Sequence, residues 1–122
     1  GYYTHRDNSF FYISGVCDRA NLDRAVGVMR EELAAIAVSG IAPEELERAR
    51  EMMQTRWSFS NETNHAQASN LAWWKMFRTI EELSRYPERI RAVTVQDVRE
   101  FARRYGGNLV VAALEPGIPA AP

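Results

Sequence analysis

The first apolar stretch of the chain has the pattern of a β-strand. Residues 10–17 are aromatic, β-branched or small, and polar residues flank them on both sides. Such a run between turn-forming residues predicts a strand. Both alternating sets of its side chains are largely apolar, so we expect a strand that is central in a sheet or covered on more than one side. Tyr2 and Tyr3 are compatible with the end of a preceding strand, with a turn at residues 6–9.

Helical periodicity follows directly. Asn21 is a typical N-cap residue, and the apolar positions after it recur at alternating spacings of about four and three, which places them on one helical face. Those positions are Leu22, Val26, Met29, Leu33 and Ile36. Ser39 and Gly40 end the pattern, and glycine is the usual residue where a chain turns away from a helix end.

A second helix is predicted to begin at Pro43, because proline suits the first helical position and Glu44 and Glu45 complement the positive end of the helix dipole. Its apolar positions are Leu46, Ala49, Met53 and Trp57. The short polar side chains of residues 58–64 predict a break. A third helix then extends over about residues 63–77.

The last third of the chain predicts a short helical turn, a helix, a strand and a tail. The helical turn covers residues 86–93, and Thr94 with Asp97 forms a capping box at the start of the following helix. Gly106 and Gly107 stop this helix, and the continuous apolar run of residues 109–114 predicts a buried strand. Residues 116–122 are rich in proline and alanine, and we expect a disordered tail there.

This order of strand, three or four helices and strand indicates an α+β fold, with a few-stranded sheet and helices packed on one face. Two strands alone make a poor sheet. We therefore expect partner strands from outside this chain.

Composition narrows the function class. The 122 residues amount to one domain or part of one, and the formal net charge of -1 gives no field that would attract nucleic acid. The single cysteine, Cys17, excludes an intrachain disulfide and a thiolate metal cage. No apolar run reaches the roughly 18 residues of a membrane span. The N-terminus resembles neither a signal nor a transit peptide and has no initiator methionine, so we expect a piece of a longer protein. The compartment stays open.

Candidate catalytic residues are few. His5 and His65 are the only histidines, and neither H-E-x-x-H nor H-x-x-E-H occurs, so we expect a turn histidine and a helix-surface histidine. Cys17 has no neighbouring histidine, which favours a buried structural thiol. Trp57, Trp73 and Trp74 belong to an aromatic-rich centre. The adjacent pair cannot point the same way on a helix, so one of them is expected to face a partner, a missing domain half or a substrate channel.

The order of these signals resembles one family. The segments that carry the resemblance are Phe11–Gly15, Glu32–Ile36, Ser39–Arg50, Tyr86–Ile90, Val93–Val98 and the closing apolar run. Together they are similar to the C-terminal half of a domain in the pitrilysin/insulinase-type zinc peptidases (inverzincins). Mitochondrial processing peptidase and the core subunits of respiratory complex III belong to the same family. The resemblance covers about residues 1–115.

The resemblance implies half of a ferredoxin-like, metallopeptidase-type α/β domain, in which two related halves share one sheet. Several such domains close around a peptide. The zinc motif H-x-x-E-H lies in an N-terminal domain, and a later domain often supplies an arginine and a tyrosine that hold the substrate backbone. Tyr2 and Tyr3 do not match that spacing, and no arginine precedes them. The resemblance therefore assigns no catalytic, cofactor-binding or metal residue to this chain.

The expected function is a non-catalytic C-terminal segment of a zinc metalloendopeptidase, which completes a domain and walls a peptide-binding chamber. Its partners would be the remainder of the same polypeptide or a homologous subunit, with the peptide substrate bound by the parent and zinc held elsewhere. Two alternatives stay open. One is a scaffold or assembly subunit of the same fold, like the respiratory core proteins, and the other is a free-standing interaction module.

Overall fold

The computed structural model describes residues 1–3 and 9–115. These residues form two short strands, β1 (Tyr2–Tyr3) and β2 (Phe10–Phe11), a 3₁₀ turn at Arg19–Asn21 and a series of α-helices. The helices are α1 (Leu22–Ser39), α2 (Pro43–Phe59), α3 (Asn64–Phe77), α4 (Ile80–Ser84), α5 (Tyr86–Ala92) and α6 (Val95–Tyr105). The mostly helical chain with a small antiparallel sheet confirms the predicted α+β class.

The two strands form a hairpin ladder. Tyr2 lies opposite Phe11 and Tyr3 opposite Phe10. Gly1 and Tyr12 extend this ladder by exchanging both of their main-chain hydrogen bonds, each 2.9 Å long. The ladder ends there, so the strand predicted over residues 10–17 is shorter in the structure. The turn predicted at residues 6–9 and the tail predicted at residues 116–122 lie largely or wholly outside the described residues.

The closing apolar run differs from its prediction. Residues 109–114 have no regular secondary structure, and Val110 and Leu114 are 97% and 101% exposed. A strand exists only when a neighbour accepts and donates its main-chain hydrogen bonds. Among the described residues this run has no such neighbour, so its composition alone does not make it a buried strand.

Helix ends follow the local chemistry that the sequence contains. Gly40 follows α1 with a φ of 76°, which only glycine adopts readily, and its N–H donates to Ile36 O at 2.8 Å. Pro43 is the first residue of α2, as predicted. The Thr63 hydroxyl caps α3 by accepting from the Ala66 N–H at 3.1 Å. These features confirm the predicted helix boundaries within one residue.

Helices α1 and α6 pack side by side in opposite directions. A Cβ built on Gly40 would lie 3.0 Å from Val95 Cγ1, and one built on Gly106 would lie 3.8 Å from Leu33 Cβ. The Arg103 Nε also donates to Ala37 O at 2.8 Å, which satisfies a carbonyl in the last turn of α1. Helix α2 packs on α5, while α4 lies against both α3 and α5.

The core is small for a chain of this length. The buried apolar residues among those described are Leu46, Leu83, Ile90 and Ala102. The accessible surface is 10321 Å², whereas a compact monomer of this mass would expose about 6,700 Å². The twelve residues outside the described ranges account for at most about 2,000 Å² of that difference. Much apolar surface in the described residues is therefore uncovered.

Candidate functional site: an unpaired sheet edge

The residues singled out for chemistry do not converge. His65 is exposed on α3, as predicted, and His5 lies outside the described residues. Cys17 is exposed, so the prediction of a buried thiol is wrong, because the segment around it has no covering layer. Residues 1–3 and 9–115 contain no group of three or more histidine, cysteine or acidic residues that could hold a metal ion.

Helices cover one face of the hairpin. The Phe11 ring meets the Phe101 ring of α6 edge-on, with centroids 5.2 Å apart. On the neighbouring strand, the hydroxyl of Tyr2 lies 3.0 Å from the hydroxyl of Tyr86 in α5. Tyr2 and Phe11 are cross-strand partners, so these two contacts fix the same face of the ladder to the helical layer.

Tyr86 lies in an aromatic cluster built by three helices. Its ring centroid is 4.8 Å from that of Trp57 in α2 and 5.5 Å from that of Trp74 in α3. Burial, followed by the hydrogen bond with Tyr2, raises the pKa of the Tyr86 hydroxyl well above its usual value. The hydroxyl is therefore neutral across the physiological range. Sequence reasoning placed Trp57 and Trp74 in an aromatic-rich centre but missed Tyr86. The hydrogen bond of Tyr86 with Tyr2 joins residues 84 positions apart and leaves no local signal.

The adjacent tryptophans point in different directions, as predicted. Trp74 is half-buried against Tyr86, whereas Trp73 is 45% exposed and packs edge-on against Phe77 at 4.8 Å. Whether Trp73 faces a partner stays a prediction.

The opposite face of the hairpin is aromatic and about half exposed. Tyr3 has ring centroids 5.2 Å from Phe10 and 5.7 Å from Tyr12. The exposed fractions of these three side chains are between 41% and 54%. An exposed apolar surface of this kind is typical of a face that another protein layer covers.

The strand edge beyond Tyr12 is also unpaired. Among the described residues, the main-chain groups of Ile13–Cys17 have no hydrogen-bond partner. Because Tyr12 exchanges both bonds with β1, a strand continuing past it directs the main-chain groups of Ile13, Gly15 and Cys17 to the far edge. The unpaired segment is therefore available for strand addition on that edge.

Exposed edge strands in native proteins usually carry features that prevent pairing with other chains, such as lysine, proline or an inward-pointing charge. Residues 9–17 contain no charged residue and no proline. The segment therefore lacks the protective residues of an exposed edge strand. Its composition is that of a strand with neighbours on both sides, which indicates that another strand covers this edge.

The charged side chains outside the sheet form ordinary surface ion pairs. The ion pairs among the described residues are Arg19–Glu115, Arg50–Glu47 and Arg78–Glu82. The charged residues of α2 are mostly exposed to solvent. No helix in the described part of the chain is long and apolar enough to cross a membrane.

Comparison with known proteins gives one family. The family described as the Peptidase M16 inactive domain matches residues 1–53, which include the hairpin, α1 and the first part of α2. No curated protein and no solved structure matches the chain significantly. The match confirms, over residues 1–53, the resemblance that the motifs predict: this part of the chain is similar to the inactive domain of the M16 peptidases, the pitrilysin/insulinase-type family.

Proposed function

We propose that this chain is a non-catalytic segment of an M16-type zinc metalloendopeptidase, and that it completes the β-sheet of an inactive domain and forms part of the wall of the peptide-binding chamber. The single observation that carries the proposal is the uncharged, unpaired strand edge at Ile13–Cys17. The family match over residues 1–53 supports the same assignment, because the matching domain type is the inactive one.

The exposed aromatic face gives the proposal its second support. Tyr3, Phe10 and Tyr12 lie on the side of the hairpin away from α5 and α6. In a sheet that lines a chamber, this is the face that a peptide would meet. Aromatic rings with hydroxyl groups suit such a surface, because they offer apolar area at low entropic cost and hydrogen-bonding tips.

Zinc chemistry belongs to another part of the proposed enzyme. The described residues contain no donor set that fits a zinc ion, since a catalytic site needs about three protein ligands. A zinc ion held elsewhere would polarise the scissile carbonyl and activate water. The residues of this chain would contribute only to the shape and covering of the chamber.

The test uses the complete native protein that contains this segment. Replacing Ile13 by proline removes an N–H that points to the free edge and fixes φ, which blocks strand addition. The control, Ile13→Val, keeps the N–H and an apolar β-branched side chain. We expect Ile13→Pro to abolish assembly and peptidase activity, and Ile13→Val to retain both.

Three other outcomes are informative. Unchanged assembly and activity in the proline variant would contradict the proposal. Loss of assembly in a protein without peptidase activity, and without H-x-x-E-H in any subunit, would support the scaffold alternative instead. A monodisperse chain of residues 1–122 that unfolds cooperatively by itself would support the free-standing module.

A further inference from the structure

The ring of Tyr12 lies across the neighbouring strand of the hairpin. Tyr12 is the cross-strand partner of Gly1, and a Cβ built on Gly1 would overlap with Cζ and the hydroxyl oxygen of Tyr12. The ring therefore occupies the space that a side chain at position 1 would need. An aromatic residue opposite a glycine covers the bare backbone of that glycine in a sheet. Glycine at position 1 is thus what allows Tyr12 to take this place, while 41% of its side chain stays exposed.

Tyr3, Phe10 and Tyr12 form one continuous surface of rings, which we call the aromatic platform. The ring planes of Tyr3 and Tyr12 are stacked at 30° to each other, and those of Tyr3 and Phe10 are tilted by 35°. Their centroid distances of 5.7 and 5.2 Å are those of rings in direct contact. The three side chains therefore offer a single apolar area to a ligand.

The strands that carry the aromatic platform have no charged side chain. Residues 1–3 and 9–17 are all uncharged. A charged side chain that docked on the rings would lose hydration without meeting an opposite charge from these strands. Cation–π attraction at an exposed ring is weaker than the burial of a large apolar side chain. The aromatic platform therefore complements bulky, uncharged side chains.

We propose that the aromatic platform is a specificity site that binds bulky apolar or aromatic side chains of an unfolded peptide. The inference rests on the proposed function, because the wall of a peptide-binding chamber is what brings an unfolded chain to this face. It adds the class of side chain that is selected and the three residues that select it. Such side chains are mostly buried in folded proteins. The aromatic platform would thus favour unfolded peptides over folded proteins.

The helical layer holds the aromatic platform in place from the other face of the ladder. Tyr2 is hydrogen-bonded to Tyr86, and Phe11 contacts Phe101. These contacts fix both strands of the hairpin. A peptide would therefore meet rings that are already ordered, which lowers the entropic cost of binding.

The test measures peptide binding to the complete native protein by stopped-flow fluorescence anisotropy, which records binding before any cleavage. Two labelled, unstructured peptides have equal length and net charge, and one carries phenylalanine and leucine where the other carries serine. We expect the double variant Tyr3→Ala with Tyr12→Ala to raise the Kd of the phenylalanine peptide about tenfold and to leave the Kd of the serine peptide unchanged. Tyr12→Phe keeps the ring and should keep the affinity. The matched control is Phe59→Ala, because Phe59 is a 67% exposed aromatic residue of α2 outside the aromatic platform.

Gly1→Ala gives a second, independent variant. It removes no aromatic group, but its Cβ displaces the ring of Tyr12, so it should weaken binding of the phenylalanine peptide and spare the serine peptide. The thermal transition of each variant checks that the protein is folded, and the single substitutions replace the double variant if its transition is lost.

The outcomes separate this inference from the proposed function. An unchanged Kd for the phenylalanine peptide in folded platform variants, or an equal change for both peptides, would overturn the specificity site. If Ile13→Pro still abolished assembly, the proposed function would stand without it. Selective loss of the phenylalanine peptide, in a protein whose assembly and activity survive Ile13→Pro, would support the specificity site and contradict the proposed function alone.

Discussion

The hydroxyl oxygens of Tyr2 and Tyr86 lie 3.0 Å apart, although 84 residues separate them in the chain. Tyr2 belongs to the hairpin and Tyr86 to the aromatic cluster with Trp57 and Trp74. This hydrogen bond and the Phe11–Phe101 contact hold the small sheet on the helices. The position of the free strand edge therefore depends on side chains that come from distant parts of the sequence.

The Tyr2–Tyr86 hydrogen bond predicts a measurable stability loss. Tyr86→Phe keeps the ring between the two tryptophans but removes the hydroxyl, so we expect the free energy of unfolding to fall by about 1 kcal/mol. Denaturant unfolding of the complete protein, followed by tryptophan fluorescence, checks this. The control is Tyr105→Phe, whose hydroxyl has no hydrogen-bond partner among the described residues. An equal loss in both variants would contradict the assignment.

Leu46 is the buried residue of α2 and is 7% exposed. Leu46→Ala removes buried methyl groups and leaves a cavity, so we expect a loss of about 3 kcal/mol in the free energy of unfolding. Met52→Ala is the matched control on the same helix, because Met52 is 73% exposed and should change stability by no more than about 0.5 kcal/mol. Chemical denaturation measures both, and a similar effect at the two positions would count against this core.

Arg50 ties α2 to the connection between α5 and α6. Its guanidinium donates to the Val93 carbonyl and, through Nη1, to Glu47 Oε2 at 2.7 Å. Arg50→Ala removes a charged donor from the Val93 carbonyl, and we expect a loss of about 2 kcal/mol in the free energy of unfolding. Arg48→Ala, at an exposed position on the same helix, should be close to neutral. Thermal unfolding distinguishes the two variants, and identical transitions would refute the role of Arg50.

The start of α6 predicts a specific pH dependence. The Thr94 hydroxyl and, secondly, the Thr94 N–H both donate to Asp97 Oδ2 at 2.7 Å, which lowers the pKa of the Asp97 carboxyl below its usual value. A lowered pKa in the folded state stabilises the fold at all pH values above the unfolded pKa. That contribution disappears as the pH falls through the folded value, so the α6 N-terminus should loosen only below about pH 4.

NMR titration of the Asp97 carboxyl carbon tests this capping interaction. We expect Thr94→Ala to move the Asp97 pKa back towards its usual value, because the stronger of the two hydrogen bonds is lost. Thr94→Ser keeps a hydroxyl and should keep the lowered pKa. The account would be wrong if both variants titrated alike.

The helices could be predicted because their signals are local. The glycine after α1, the proline at the start of α2 and the Thr94–Asp97 box each act within one turn, and the structure contains all three. Helix α4 was not predicted, although Thr79 accepts from the Glu82 N–H at 3.3 Å. The threonine followed three residues later by glutamate is the capping signal that could have found it.

The strands could not be predicted to the same extent, because their existence depends on a partner. Residues 10–17 and 109–114 have strand composition, yet only Phe10–Phe11 forms a ladder with β1. Asn21 occupies the predicted N-cap position but makes no side-chain capping bond, since a 3₁₀ turn precedes it. Cys17 lies in the part of this segment that has no partner strand among the described residues, and it is therefore exposed.

The candidate site was only partly predictable. The sequence predicts two strands, which are too few for a stable sheet, so partner strands could be expected. The family resemblance suggested that they come from the other half of the domain. The hydrogen bond of Tyr2 with Tyr86 and the ion pair of Arg19 with Glu115 required coordinates, because each joins residues more than 80 positions apart.

The most direct test of sheet completion is hydrogen exchange at the amides of Ile13, Gly15 and Cys17. It should be measured in the complete native protein and in the separate chain of 122 residues. Our account predicts strong protection in the complete protein, because a strand from outside this chain then pairs with this edge, and fast exchange in the separate chain. Fast exchange of these amides in both samples would show that the edge stays unpaired and would contradict the central claim.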